Sequence, residues 1–240
     1  MWYNDVIGLR GEVYLFKQTS KWLILLGIAV LFLAACSGNG EDKASDDVVA
    51  TVNGDKILKA DYETELENTK NMYAQQGMNL DDLDDEMKKQ IEESVLNQLV
   101  NTKLVLQTAA EDGITAEQSE IDSELEAIKT QFEDDKKYKE ALKENKITEE
   151  DLKLQVKDQL TITKYLDNSI GEIKVTEEEV QVLYNEYKES AATQEQEPED
   201  LETMKPQLEQ QAIAQKKSEK VNELIEALRT ENEKNIEITL

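Results

Sequence analysis

The stretch VLNQLVNTKLVLQTAAEDG, residues 95–113, has the pattern of a long amphipathic helix that ends at a glycine. The apolar residues of this pattern begin upstream and recur mostly three or four positions apart: Leu83, Met87, Ile91, Val95, Leu99, Leu106 and Ala110. This spacing places them on one helix face, and Gly113 is the residue type that commonly ends a helix. We therefore predict a helix over about residues 84–112 with one buried face.

Two short stretches that flank the helical region favour β-structure. The segment VVATVNGDKIL, residues 48–58, has β-branched residues around Asn53-Gly54, a dipeptide that favours a type I′ turn. The segment NIEITL, residues 235–240, alternates apolar and polar residues with the period of a half-buried strand. We expect the two segments to pair in a small sheet that joins the chain's two ends.

Three further helices have similar predicted starts. In each, a threonine follows an apolar residue, and a side chain that accepts hydrogen bonds lies three positions later: Thr115 with Gln118, Thr148 with Asp151, and Thr176 with Glu179. Such pairs form capping boxes at helix N-termini. A last helix is predicted for residues 201–230. Because Gly (9) and Pro (2) are also scarce, the predicted fold class is mostly α.

The charge balance narrows the classes of function. The chain has 27 basic and 53 acidic residues, a formal charge of −26, so it would repel phosphate backbones, and nucleic acid is not an expected partner. It has no histidine, which excludes Ser-His-Asp and Cys-His catalysis and removes the commonest transition-metal ligand. We predict no cofactor and no enzymatic activity.

The N-terminal region has the features of an export signal. Residues 22–33 are apolar or glycine and follow Lys17 and Lys21, a run too short to span a bilayer and typical of a signal peptide. Leu33-Ala34-Ala35-Cys36 resembles the lipobox of bacterial lipoproteins, which implies cleavage before Cys36 and attachment of diacylglycerol to its thiol. A buried Cys36 in a membrane span, or an ordinary cleaved signal, is the alternative. The lipobox interpretation predicts an extracytoplasmic protein anchored to the cell membrane.

Several stretches together resemble the helical domain of the PrsA/SurA family of extracytoplasmic foldases and chaperones. The stretches that carry the resemblance are residues 48–62, 95–115, 147–170, 174–188 and 205–240. The resemblance covers residues 48–187 and 203–240. It implies a helical chaperone-like domain, built from N- and C-terminal segments and closed by the small sheet, that binds unfolded exported polypeptides.

The sequence departs from this family in the middle of the chain. Many members carry a parvulin prolyl-isomerase domain of about 90–100 residues, with histidines in its site, before the closing helix. Here only residues 188–202 fill that position, so we expect no prolyl-isomerase activity. The resulting prediction is a signal peptide, a tether, a helical domain, a loop in place of the insertion, and a closing helix and strand, over residues 1–35, 36–47, 48–187, 188–202 and 203–240.

Two groups of residues are candidate sites. Met72, Tyr73, Met78 and Met87 suit a client-contacting face because methionine adapts to varied partners, although methionine also fills irregular cores and we favour core packing. Residues 81–86 contain five carboxylates, which could attract calcium. They lack the glycine and spacing of a calcium loop, so we favour the start of a helix, where acidic residues are stabilised by the helix dipole.

The sequence thus predicts a lipid-anchored chaperone or foldase-like protein. One alternative is an adaptor or structural lipoprotein with one dedicated folded partner, because a fold does not fix a function. Another is an enzyme with a carboxylate-based site, which no residue pattern favours. The sequence leaves the oligomeric state open, a homodimer included.

Overall fold

The computed structural model describes residues 47–145, 147–193 and 196–239, so the predicted signal segment and Cys36 lie outside the described residues. Two single turns of 3-10 helix occur, at Leu80–Asp82 and Glu233–Asn235. The strands and α-helices, in chain order, are β1 (Val48–Val52), β2 (Asp55–Leu58), α1 (Lys59–Gln75), α2 (Asp85–Glu111), α3 (Gln118–Lys129), α4 (Asp135–Glu144), α5 (Glu149–Ile170), α6 (Glu177–Thr193), α7 (Leu201–Glu231) and β3 (Ile236–Ile238). The mostly helical fold class is confirmed.

The three strands form an antiparallel sheet in the order β2-β1-β3. The turn between β1 and β2 has positive φ at Asn53 (51°) and Gly54 (85°), as the type I′ turn requires. On the other side of β1, Val52 pairs with Ile236 and Ala50 pairs with Ile238. The predicted pairing of the two ends is confirmed.

The described chain divides into two compact units. The larger contains the described residues within 47–165 and 228–239, and the smaller contains those within 166–227. Helices α5 and α7 contribute residues to both units.

The larger unit has two clusters of buried apolar side chains. The sheet, α1 and α2 share the first cluster: Val49, Ala50, Val52, Ile57, Tyr62, Val95, Leu96, Leu99, Val100 and Leu104. Helices α3, α4 and α5, with the segment before α3, share the second: Ala116, Ile121, Ile128, Tyr138, Leu152 and Val156. Val95 and Leu99 of the predicted apolar face of α2 are buried in the first cluster, but Leu106 is only half-buried and Ala110 is exposed. The buried face of α2 continues through Val100 and Leu104 instead.

Helix α2 ends as its sequence predicts. Gly113 has a positive φ of 70°, its N–H donates to the carbonyl of Ala110 (3.1 Å), and the N–H of Ile114 donates to the carbonyl of Ala109 (2.8 Å). These two bonds define a Schellman motif, in which glycine avoids the strain that a side chain would create. The bounds of α2 agree with the prediction to within a residue at each end.

Two of the three predicted capping boxes are present. The Thr148 N–H donates to the Asp151 carboxylate (2.8 Å), and the Asp151 N–H donates to the Thr148 hydroxyl (3.1 Å). Thr176 and Glu179 form the same pair, with distances of 2.8 and 3.3 Å. Both pairs satisfy N–H groups that the first helical turn leaves free.

The predicted cap at Thr115 is wrong. Helix α3 begins two residues later, where the Glu117 N–H donates to the Glu120 carboxylate (2.7 Å). The physical reason lies in α5, because the hydroxyl of Thr161 accepts a hydrogen bond from the N–H of Ala116 (3.0 Å). That tertiary bond holds the chain in a non-helical conformation past Thr115 and moves the start of α3.

The smaller unit is held by apolar packing and by lysines of α7. Helices α6 and α7 bury Val180, Leu183, Met204, Leu208 and Ala212 together. The ammonium of Lys216 lies 2.6 Å from the Glu179 carboxylate and lowers its pKa to about 2, with help from the Thr176 N–H. The ammonium of Lys217 lies 2.6 Å from the Asp167 carboxylate. The end of α5 and the first turn of α6 are thereby tied to α7.

Tyr138 on α4 has a buried hydroxyl without a hydrogen-bond partner among the described residues. Its ring packs edge-on against Phe132, with ring centroids 5.6 Å apart, and the ammonium of Lys129 lies 5.3 Å from its centroid. Phenylalanine would keep both ring contacts. We expect Tyr138→Phe to raise the free energy of unfolding by up to about 1 kcal/mol, because an unsatisfied buried hydroxyl is unfavourable. Urea denaturation measures this change, and a loss of stability above about 1 kcal/mol would contradict it.

Candidate functional site

Helices α1 and α2 form an antiparallel hairpin. The side-chain amide of Gln98 donates to the Glu65 carboxylate (3.4 Å), which fixes the register of the two helices. Met72 is seven residues further along α1 and Met87 is eleven residues back along α2, about 10 and 16 Å from this contact at 1.5 Å per residue. Both residues therefore lie at the end where the helices are connected. We call residues 72–88 the hairpin tip.

The hairpin tip exposes three methionines. Met72, Met78 and Met87 keep 37%, 45% and 47% of their surfaces accessible, whereas Tyr73 is half-buried. The favoured prediction of core packing is therefore wrong for these three methionines. The buried cluster of the hairpin begins at Val95, and the half-buried Ile91 packs against it, so Met87 lies about one turn outside this packing.

The tip is nevertheless a folded segment. The carbonyl of Tyr73 accepts hydrogen bonds from the N–H groups of Gln76 and Met78, both at 3.0 Å. The Asn79 side chain accepts from the Asp81 N–H (3.1 Å), and Leu80 is buried beneath the turn. The backbone that presents the methionines is thus held by local hydrogen bonds.

Five exposed carboxylates lie between Met78 and the end of the tip. Asp84 is the N-cap of α2 and accepts the Met87 N–H (2.8 Å), which confirms the predicted helix start. Among the described residues, none of the five has an ion-pair partner within 4.0 Å: Asp81, Asp82, Asp84, Asp85 and Glu86. The one lysine of the tip, Lys88, donates to a backbone carbonyl, that of Asp81 (2.8 Å). The tip therefore combines thioether side chains with unpaired negative charge.

Glu65 is a buried carboxylate between the tip and the core, with only 4% of its surface accessible. It accepts long hydrogen bonds from Asn68 (3.3 Å) and Gln98 (3.4 Å), and burial raises the pKa of its carboxyl group. Sequence reasoning missed this residue, because the apolar pattern of α1 is too weak to assign glutamate to the buried face. Tyr62 and the half-buried Leu66 on that face are the only local signal.

The structure brings together four of the five predicted site residues. Met72, Tyr73, Met78 and Met87 share the hairpin tip, and Cys36 lies outside the described residues. Sequence reasoning did not single out two other exposed apolar residues, Val182 on α6 and Ile238 on β3. Isolated residues of this kind are normal on protein surfaces. The described helices contain no segment apolar and long enough to cross a bilayer.

These features define a class of protein: a helical domain in which the paired strands β1 and β2 and the C-terminal strand β3 form one small antiparallel sheet. A family model described as "SurA-like N-terminal domain" matches residues 15–166. The chain belongs to this family, and its likeness to the PrsA/SurA group is confirmed.

Two relatives illustrate how far the likeness extends. The foldase protein PrsA of Caldanaerobacter subterraneus subsp. tengcongensis is 33% identical over 188 residues, which are 76% of this chain and 54% of that protein. The foldase protein PrsA of Clostridium botulinum (strain 657) is 30% identical over 186 residues, with shares of 71% and 55%. The chain therefore spans about half the length of the curated relatives it matches.

Proposed function

We propose that this protein is a lipid-anchored extracytoplasmic chaperone or foldase-like protein that binds unfolded exported polypeptides. Membership of the SurA-like N-terminal domain family and likeness to proteins named foldases support the chaperone class. The lipobox-like Leu33-Ala34-Ala35-Cys36 supports the anchor. The single observation that carries the proposal is the exposure of three methionines on one folded hairpin tip.

The chemistry of the tip suits contact with many different apolar segments. Methionine side chains are unbranched and polarisable, so they adapt their shape to different partners. Burial of a client's apolar side chains against Met72, Met78 and Met87 supplies affinity in proportion to the area removed from water. Tyr73, half-buried beside them, adds an aromatic surface.

We further propose that the protein acts by binding, without prolyl isomerisation. The connection from α6 to α7 is short, and its far end is bonded to α6. The Tyr184 hydroxyl donates to the carbonyl of Glu199 (3.0 Å), and the Tyr187 hydroxyl accepts from the Glu199 N–H (3.1 Å). Asp200 then caps α7 by accepting the Thr203 N–H (2.9 Å). This direct connection and the lack of histidine support a function by binding alone.

An aggregation assay tests the proposal. The full chain in a mild detergent is mixed with a reduced, unfolded model protein, and light scattering is followed. We expect near-stoichiometric amounts to suppress aggregation, with no acceleration of a proline-limited refolding step. Detergent alone and an unrelated acidic protein are the controls. No suppression, together with crosslinking to a single saturable partner, would favour the adaptor interpretation instead.

A further inference from the structure

We infer that the hairpin tip selects polypeptide segments that combine Lys or Arg with apolar side chains. This inference rests on the proposed function and specifies its class of client. It follows from two features of one segment, the three exposed methionines and the unpaired carboxylates between them. The methionines contact the apolar side chains of such a segment, and the carboxylates attract its Lys or Arg side chains.

The charge of the tip is strongly one-sided. Residues 72–88 contain five carboxylates and one lysine, a net charge of −4. The Lys88 ammonium already donates to the Asp81 carbonyl, and lysines pair with acidic groups elsewhere on the surface, as Lys89 does with Glu93 (3.6 Å). An anionic segment is repelled here, and a cationic one finds carboxylates that no neighbouring lysine neutralises.

Capping of α2 accounts for only part of this acidic group. Asp84 is the cap, and Asp85 and Glu86 in the first turn are stabilised by the helix dipole. Asp81 and Asp82 precede this cap and belong to the separate 3-10 turn, which the Asn79 side chain caps. Calcium is not the occupant we infer, because no group of three acidic ligands is positioned for a metal ion anywhere in the described part of the chain.

The apolar half of the recognition comes from residues on both sides of the acidic run. Met78 precedes Asp81 by three residues, and Met87 follows Glu86 directly. The Met78 N–H is bonded to the last turn of α1, which also carries Met72. A bound segment could thus lay apolar side chains on thioethers while its lysines or arginines face carboxylates. A client with apolar residues alone would leave those carboxylates partly desolvated and unpaired, which disfavours its binding.

Synthetic peptides test the inference. Three fluorescent peptides of equal length contain Lys with Leu, Glu with Leu, and Lys with Ser, and fluorescence anisotropy reports their binding to the full chain in non-ionic detergent, with micelles as the blank. We expect the Lys–Leu peptide to bind about tenfold more tightly than the Glu–Leu peptide at low salt. The Lys–Ser peptide should bind weakly, and added salt should reduce the preference.

Matched variants locate the effect at the tip. Asp81→Asn, Asp82→Asn and Glu86→Gln together leave the Asp84 cap intact and should abolish the preference for lysine. The control has the same change of charge on α3 and in the segment after it, at exposed carboxylates without ion pairs: Glu124→Gln, Glu126→Gln and Glu133→Gln. Replacing the three tip methionines by Gln should weaken Lys–Leu binding about tenfold, whereas Val182→Thr should not change it. Circular dichroism verifies that all variants fold.

The outcomes separate the inference from the proposed function. Suppressed aggregation with equal affinity for the Lys–Leu and Glu–Leu peptides, or with equal effects of the tip and control variants, would overturn the inference and leave the chaperone proposal standing. Neither suppression nor peptide binding would overturn both. Tip-dependent binding of the Lys–Leu peptide without suppression would keep the binding surface and remove the chaperone role.

Discussion

The Leu99→Ala variant is expected to lose about 3 kcal/mol of unfolding free energy, because the substitution leaves a cavity at the centre of the larger unit. Leu99 has no accessible surface and belongs to the cluster that α1, α2 and the sheet share. Its neighbours in that cluster include Val52 and Ile57, which lie on strands whose positions are fixed by hydrogen bonds. A site built on a paired sheet relaxes little, so most of the cavity should persist.

Urea denaturation followed by circular dichroism measures this loss, with hydrogen exchange at β1 as a local probe. The two units of the chain make a single transition an assumption to be tested, so two independent probes are needed. Val182→Ala removes apolar atoms from a half-exposed site and should change stability by less than about 0.5 kcal/mol. A Leu99→Ala variant as stable as this control would mean that α2 is not the centre of the unit.

The sequence was most informative where local chemistry determines structure. The Asn53-Gly54 turn, the Gly113 stop and the boxes at Thr148 and Thr176 each depend on residues within a few positions of one another. The sheet between the chain ends was also predictable. Its strands carry recognisable β patterns, and the resemblance implied that they pair.

The sequence-based predictions failed where residues distant in the sequence determine the local structure. Thr115 is displaced as a cap by Thr161, which lies 46 positions away in the sequence and competes for the backbone just before α3. Helix α4 was not predicted, because its cap at Asp134 precedes Lys137 and so lacks the acidic partner that marks a capping box. No sequence pattern predicted the boundaries near residues 165 and 227, where the chain divides into two compact units.

The candidate site was predicted in its residues but not in its exposure. Methionines three or four positions from other apolar residues have the same pattern whether a core lies beside them or not. The apolar pattern of α2 continues through Met87, although the packing against the first cluster extends only to Ile91. Only the packing distinguishes a core methionine such as Met204 from the exposed ones at the tip.

The Glu65→Gln variant is expected to be about 1–3 kcal/mol more stable than the natural chain at neutral pH. Burial raises the pKa of Glu65, and its partners Asn68 and Gln98 offer long hydrogen bonds and no positive charge. Glutamine has nearly the same shape and no charge to desolvate. Its carbonyl oxygen can accept the hydrogen bond of one amide, and its NH2 group can donate to the other amide once that side chain turns its oxygen inward. Urea denaturation at several pH values measures the difference between the two proteins.

The stabilisation should depend on pH with a definite sign. Well above the raised folded-state pKa, Glu65 is ionised in both states, and the folded state bears the full penalty of a buried charge. As the pH falls through that pKa, the folded protein binds a proton that the unfolded chain does not yet hold, so the stability of the natural chain rises relative to the variant. The advantage of glutamine should therefore shrink on acidification and level off below the unfolded value of about 4.5.

Glu67→Gln is the matched control, since Glu67 is exposed on the same helix. It should change stability by less than about 0.5 kcal/mol and show no such shrinkage. Comparing each variant with the natural chain at the same pH cancels the opposite contribution of Glu179, whose lowered pKa removes stability in acid. A Glu65→Gln advantage that is absent, or that grows as the pH falls, would mean that Glu65 is solvated or paired in solution. The hairpin below the tip would then be more open than the packing of Tyr62 and Glu65 against α2 indicates.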